Sequence, residues 1–182
     1  MAAIYLIRHA SPDWNRRDLL YHRPPGPPLT PQGEQEAADL GSYLKEKGIQ
    51  LILSSPLERR RRTAEILANE TGAPFSISEA LIEVQPGESP GDILARVWPV
   101  FERAQEWMDQ GPVALVFHGG PIAVLLLALG MPSATLKAHQ VHDHGNVCPP
   151  AGVWKADRDP PAEGWKLELV YLPEAYREVQ AS

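Results

Sequence analysis

The residues able to do chemistry in this 182-residue chain fall just after short apolar runs. Arg8-His9 follows the run at 3–7, Ser55 and Arg59 follow the run at 49–53, and His118-Gly119 follows the run at 113–117. Short, almost wholly apolar runs read as parallel strands covered on both faces, and in open α/β sheets ligands bind beyond the carboxyl ends of such strands. Two histidines, two arginines and two helix starts then converge on one rim. Guanidinium forks and the N–H groups of a helix start both favour negative charge, so the combination defines an anion pocket.

The rest of the composition narrows the partners. A formal charge of −6 and a pI near 5.5 argue against nucleic acid, which is held by a net basic face. A small phosphorylated metabolite or a phosphoprotein remains compatible with a local basic pocket. The single cysteine, Cys148, excludes an internal disulfide and a thiolate metal site. Charged Arg8 ends the first apolar run too early for a secretory leader. The longest apolar run, 122–129, lies between Pro121 and Gly130 and falls short of the ~20 residues of a membrane span. These features predict a cytoplasmic protein with no membrane segment, and the length predicts one domain over 1–182. No repeat, low-complexity tract or sign of oligomeric state is legible.

The elements that must position the rim residues are well punctuated. Thr30 and Pro31 open a helix whose apolar face is Ala37, Leu40, Gly41 and Leu44, with Gly48 closing it. Ser55-Pro56-Leu57-Glu58 has the form of a cap, a first-turn proline and a capping-box glutamate, predicting a helix from there to about residue 70. A weaker strand covers 75–77. Ser89-Pro90 opens a long helix with Ile93, Val97, Val100, Ala104 and Met108 inward and a kink at Pro99. His118-Gly119-Gly120 turns the strand at 113–117 into an apolar helix at 121–129, and strands at 147–155 and 165–172 form a closing pair joined by a Pro-rich loop. Alternating strands and helices predict an α/β fold, a three-layer α/β/α sandwich with a mostly parallel central sheet.

In order along the chain, IRHASPDWN, LTPQGEQEA, LSSPLERRRRTAE, LIE, PGES and VALVFHGGPIAVLL resemble the histidine phosphatase superfamily, the phosphoglycerate-mutase-like proteins. The resemblance runs from about residue 4 to residue 129. It implies that His9 is a nucleophile: a neutral imidazole nitrogen attacks phosphorus without a metal or other cofactor, forming a phosphohistidine that water later cleaves. Nearby arginines disfavour the imidazolium and so keep the lone pair free.

By the same resemblance Arg8 and Arg59 bind the phosphoryl oxygens, His118 hydrogen-bonds the transferring group, and the Gly119 N–H and the Asn15 amide add donors. The leaving oxygen needs a proton, and Glu83 matches the family's usual acid, with Glu88 as rival. Only residues 84–87 separate the two, where larger members carry a long covering insertion, so the site is expected to be open. Ala10 stands where glycine is commonest, which is tolerable unless that position needs positive φ. Of the run Arg59 to Arg62, helical spacing lets one or two reach the pocket, and Arg60 and Arg61 are read as structural or solvent-facing.

His139, His142, Asp143 and His144 have a spacing reminiscent of zinc ligands, but they are read as a polar loop, with no metal. If that loop folds over the site, one histidine is placed to touch substrate. The expected activity is phosphomonoester or phosphohistidine hydrolysis. A phosphoglycerate-mutase-type transfer and a phosphate-binding module without turnover are the alternatives.

Overall fold

A computed structural model of the chain describes residues 3–158 and 164–177. Six strands form one sheet in the order β3-β2-β4-β1-β5-β6. They are β1 (Ala3–Arg8), β2 (Leu51–Ser54), β3 (Phe75–Ile77), β4 (Val113–Phe117), β5 (Val153–Asp157) and β6 (Lys166–Tyr171). β1 to β4 run parallel, and β5 is antiparallel to both β1 and β6, so the sheet is mostly parallel as predicted. The Pro-rich connection expected before β6 lies largely outside the described residues, at 159–163.

The apolar character of β1 up to Ile7, and of β4 throughout, has a direct structural cause. Ile4, Leu6, Leu115 and Phe117 point into one core, and Tyr5, Ile7, Ala114 and Val116 point into the other. With successive side chains on opposite faces, a strand covered on both sides has no position for a polar residue. The first core is closed by α3 (Pro90–Trp107), α4 (Gly119–Ala128) and α5 (Ser133–His139), the second by α1 (Pro31–Lys45) and α2 (Glu58–Thr71). The result is the three-layer sandwich. No helix among the described residues is long and apolar enough to cross a membrane.

Helix starts follow local chemistry, with one exception that matters. The Thr30 hydroxyl accepts the Gly33 N–H at 2.9 Å to cap α1, and Ser89 and Asp92 form a reciprocal capping box on α3. The predicted cap of α2 at Ser55 is not formed. That helix begins at Glu58, without a side-chain cap, and the Glu58 N–H donates instead to the Pro25 carbonyl at 2.8 Å. Ser55 is left for other use. α3 runs through Pro99, and its inward face holds Phe101 with Ile93, Val97 and Ala104, whereas Val100 and Met108 are only partly buried.

Candidate active site

β1 ends in Arg8, and the next residue, His9, is clamped by its backbone between β4 and the loop before β5. Its N–H donates to the Phe117 carbonyl at 3.2 Å, and its carbonyl accepts the Ala151 N–H at 3.0 Å. The following loop is tied to both helices of that face: Ala10 N–H donates to the Thr63 hydroxyl of α2 at 3.2 Å, and the Ser11 N–H and hydroxyl donate to Glu36 of α1, each at 2.9 Å. Ala10 is fully buried and is not among the residues with positive φ, so its methyl is accommodated.

The imidazole of His9 has a determined polarity. Nδ1 lies 2.7 Å from the Ala10 carbonyl, which can only accept, so Nδ1 carries the hydrogen and Nε2 keeps the lone pair. Nε2 faces the Tyr21 hydroxyl at 3.2 Å. Burial, then Arg59, then Arg8 hold the ring's pKa well below the usual histidine range, so the neutral form persists through the physiological range.

Two arginines differ sharply in how they are held. Arg59, fully buried on the first turn of α2, donates from Nη2 to the Tyr21 carbonyl at 2.8 Å while its guanidinium stacks on the Tyr21 ring at 3.6 Å. Its Nε and Nη1 find no hydrogen-bond acceptor among the described residues, and burial pushes its pKa down to about 10. Gly26 makes room for it, because a Cβ there would lie 2.8 Å from Arg59 Nη1. Arg8 is instead engaged by Asp143, whose two oxygens accept from Nη1 and Nη2 at 2.6 Å each. Burial opposes the Arg8 charge, but the Asp143 contact outweighs it and raises the pKa.

Behind these lies a third group. His118 follows β4 at the start of α4, with Nε2 3.3 Å from the Ser55 hydroxyl and Nδ1 2.5 Å from Glu83 Oε2. Arg60 Nη2 donates to the same glutamate oxygen at 3.0 Å, and Arg59 lies 3.8 Å from it. Burial raises the Glu83 pKa against the opposing pull of the Val84 N–H and of Arg59 and Arg8. A carboxyl that resists ionisation beside a phosphate cradle is suited to giving up a proton. Above the cluster is a cavity of about 340 Å3 lined by Arg8, Trp14, Tyr21, Glu83, His144 and Asn146, with Gly119 and Gly120 at the start of α4. Gly119 makes room for Asn146: a Cβ there would fall 1.7 Å from the Asn146 Oδ1 and displace that side chain.

The sequence pattern of the histidine phosphatase superfamily (branch 1) matches residues 4–87 and 82–149. This chain belongs to that superfamily. Among its relatives, the probable phosphoglycerate mutase GpmB of Escherichia fergusonii is 39% identical over 87 residues, taking in 48% of this chain and 40% of the relative. The same protein of Escherichia coli O1:K1 / APEC matches equally, so the chain aligns with less than half the length of these relatives. Solved structures extend the likeness across the fold. A mycobacterial glucosyl-3-phosphoglycerate phosphatase complexed with VO3 superposes with a TM-score of 0.75 at 22% identity, covering 96% of this chain and all of that one (100%). The phosphoglycerate mutase of Bacillus anthracis str. Sterne gives 0.70 at 17%, covering 93% and 92%. The fold is phosphoglycerate-mutase-like.

Within this superfamily fold, His9, Arg8, Arg59, His118, Glu83 and Gly119 come together, and two other sequence-derived residues do not. Asn15 is exposed and serves a local turn through its backbone, Asn15 N–H to Asp13 Oδ1 at 3.0 Å, while its neighbour Trp14 lines the cavity. Glu88 is gripped by Arg96 at 2.5 and 2.9 Å and by the Gln85 N–H at 2.9 Å, and Arg96 holds its pKa below the usual carboxylate range. Bound to Arg96 and held toward its ionised form, Glu88 is less suited than Glu83 to giving up a proton.

Besides Trp14, His144 and Asn146 in the cavity lining, Tyr21, Asp143 and Arg60 join the site from outside the sequence-derived set, and Ser55, placed on the rim by sequence, joins it in a role other than the one expected. Tyr21 was singled out by no motif, and Asp143 came from a cluster read as a polar loop. Arg60 was assigned to structure or solvent, yet it is fully buried against Glu83, whereas Arg61 does face solvent. Ser55 was taken for a helix cap. In the histidine cluster, His139 packs against Trp154 with ring centroids 4.8 Å apart, His142 is buried, and His144 reaches the cavity. Among the described residues no group of three or more His, Cys, Asp or Glu side chains is placed to hold a metal ion.

Proposed function

We propose that this chain is a phosphatase that hydrolyses phosphomonoesters through a phosphohistidine on His9. The observation that carries this reading is the state of the His9 ring: Nδ1 is committed to the Ala10 carbonyl, and burial and two arginines keep Nε2 unprotonated. Such a nitrogen can act as a nucleophile at neutral pH.

The phosphoryl group displaces the Tyr21 hydroxyl from its long 3.2 Å contact with Nε2. Arg59, with its unpartnered N–H groups, takes the equatorial oxygens, helped by Arg8, His118 and the Gly119 N–H. Nε2 forms a bond to phosphorus as the bond from phosphorus to the leaving oxygen breaks, and protonated Glu83 delivers its proton to that oxygen. In the second half, ionised Glu83 takes a proton from water. The hydroxyl attacks phosphorus, the bond to Nε2 breaks, and phosphate leaves with Glu83 protonated again and His9 neutral. The proton taken from water is the one the next cycle needs, and the raised pKa of Glu83 favours its retention.

The test is turnover of p-nitrophenyl phosphate in EDTA by the protein and by His9→Ala. The expected result is EDTA-resistant hydrolysis that the variant lacks. Equal rates for both proteins would refute the reading. Incubation with 3-phosphoglycerate separates hydrolysis from transfer: the expected product is inorganic phosphate, and efficient isomerisation without phosphate release would favour a mutase.

A further inference from the structure

The cations of the site are unevenly distributed. Arg59 and Arg60 lie buried beneath Tyr21 beside His9 and Glu83, where the transferring phosphoryl group has to sit. The 340 Å3 cavity above, through which the leaving group must point, has one permanent cation in its lining, Arg8, and that charge is matched by Asp143. Carboxylate or second-phosphate tails would find no unmatched cation in this lining. The rest of the lining is Trp14, Tyr21, His144, Asn146, two glycines and Glu83, whose carboxyl burial holds toward its neutral form.

Trp14 dominates those walls. It is 48% exposed, an unusual position for a large aromatic residue, and its indole is held in place by stacking on Tyr21 at 4.8 Å and 15°. Tyr21 is in turn fixed by the Arg59 guanidinium at 3.6 Å from its ring and by the Arg59 bond to its carbonyl. His144 stands edge-on to Trp14 at 5.7 Å and 65°, and it does so from a left-handed backbone with φ 55°. That conformation is costly for a residue with a Cβ and tends to persist where function requires it. Asn146 sets an amide beside the bare backbone of Gly119. A rigid aromatic face, a perpendicular imidazole and an amide form a slot for a planar ring.

We infer that the substrate is a phosphomonoester whose leaving group carries a flat, uncharged ring, such as a nucleobase, that stacks on Trp14. The inference rests on the hydrolytic reading above and deepens it by naming the leaving group. Adenosine 5′-monophosphate and ribose 5-phosphate share the same leaving alkoxide and differ in the ring, so their kcat/KM ratio isolates the slot. The expected ratio is roughly tenfold or more in favour of the nucleotide, the usual range for one base stacked on an aromatic side chain, with 3-phosphoglycerate the poorest of the three. Trp14→Ala should collapse that ratio toward one, and Trp14→Phe should retain most of it. The nucleotide should also quench the fluorescence of Trp14, a signal absent from Trp14→Phe.

Equal kcat/KM for nucleotide and ribose phosphate, a preference for 3-phosphoglycerate, or a loss in Trp14→Ala that is the same for every substrate would overturn the slot while leaving the phosphatase standing. If p-nitrophenyl phosphate is inert and Trp14 is still quenched, the hydrolytic reading falls and the ring-binding slot survives. Absence of both signals overturns both.

Discussion

The corner around Arg59 and the corner around Arg8 are built from the same side chain and behave differently. Arg59 is buried with Nε and Nη1 lacking acceptors among the described residues, and the closest carboxylate in contact with it, Glu83, is 3.8 Å away and resists ionisation. Arg8 is equally buried, but Asp143 and the Cys148 carbonyl already take its Nη1 and Nη2, leaving only Nε without a partner among the described residues. An incoming phosphoryl group therefore gains most at Arg59, where it replaces unmet hydrogen bonds, and gains less at Arg8, where it must share the fork with Asp143 or displace it. On the proposed phosphatase reading, the difference lets a chain of net charge −6 hold a dianion: the pocket is most basic at the end where phosphorus would sit.

The comparison breaks most readily at the arginines themselves. Arg59→Lys should lower kcat/KM on p-nitrophenyl phosphate by roughly 10²–10³-fold, because a point charge cannot replace the fork, and Arg8→Lys should lose distinctly less. The reverse ranking, read from steady-state kinetics, would make Arg8 the principal phosphate ligand. Next in size, Glu83→Gln should cost on the order of 10²-fold on an alkyl phosphate and far less on p-nitrophenyl phosphate, whose leaving group needs no proton. Glu88→Gln, bound to Arg96, should change neither appreciably.

The pH profile sharpens the same contrast with smaller effects. Neutral His9 is required, and its pKa is lowered, so the acid limb of kcat/KM should lie below the ordinary histidine value of 6.5. Protonated Glu83 is required, and its pKa is raised, so activity should fall as pH rises through a value above the ordinary 4.5. Arg59→Met removes a cation that disfavours the imidazolium and should move the acid limb upward, whereas Arg8→Met, whose charge Asp143 offsets, should move it less. Smallest is Asp143→Asn, which frees the Arg8 fork. Competitive inhibition by inorganic phosphate should tighten by roughly threefold to tenfold, the scale of a partly exposed ion pair. Weaker inhibition would instead make Asp143 a support for Arg8.

How much of this was legible in the sequence follows from where each signal arises. Strands and helices were readable because β1 and β4 are covered on both faces, and Thr30 and Ser89 cap their helices locally. Arg8, His9, Arg59 and His118 were readable because strand ends place them on one rim and the superfamily motifs bracket them, and Glu83 was readable from the motifs alone. The misses are contacts between distant segments. Ser55 looked like a cap, since nothing in its neighbourhood reveals His118 or the Pro25 carbonyl that caps α2. Asp143 lies 135 residues from Arg8, and only the folded loop brings its carboxylate there. Arg60 follows Arg59 on one helix turn, and spacing alone cannot reveal that Glu83 draws it inward. Asn15 was carried over from a motif whose neighbour, Trp14, is the residue at the cavity.

The central claim is a covalent one, and it is tested most directly by trapping. Incubating the protein with a 32P-labelled phosphomonoester, quenching in alkali to preserve an acid-labile phosphoramidate, and mapping the labelled peptide should locate the phosphoryl group on His9, with no label in His9→Ala. A protein that hydrolyses the substrate at full rate while no label ever appears on His9, or one that carries it on another residue, would contradict the account.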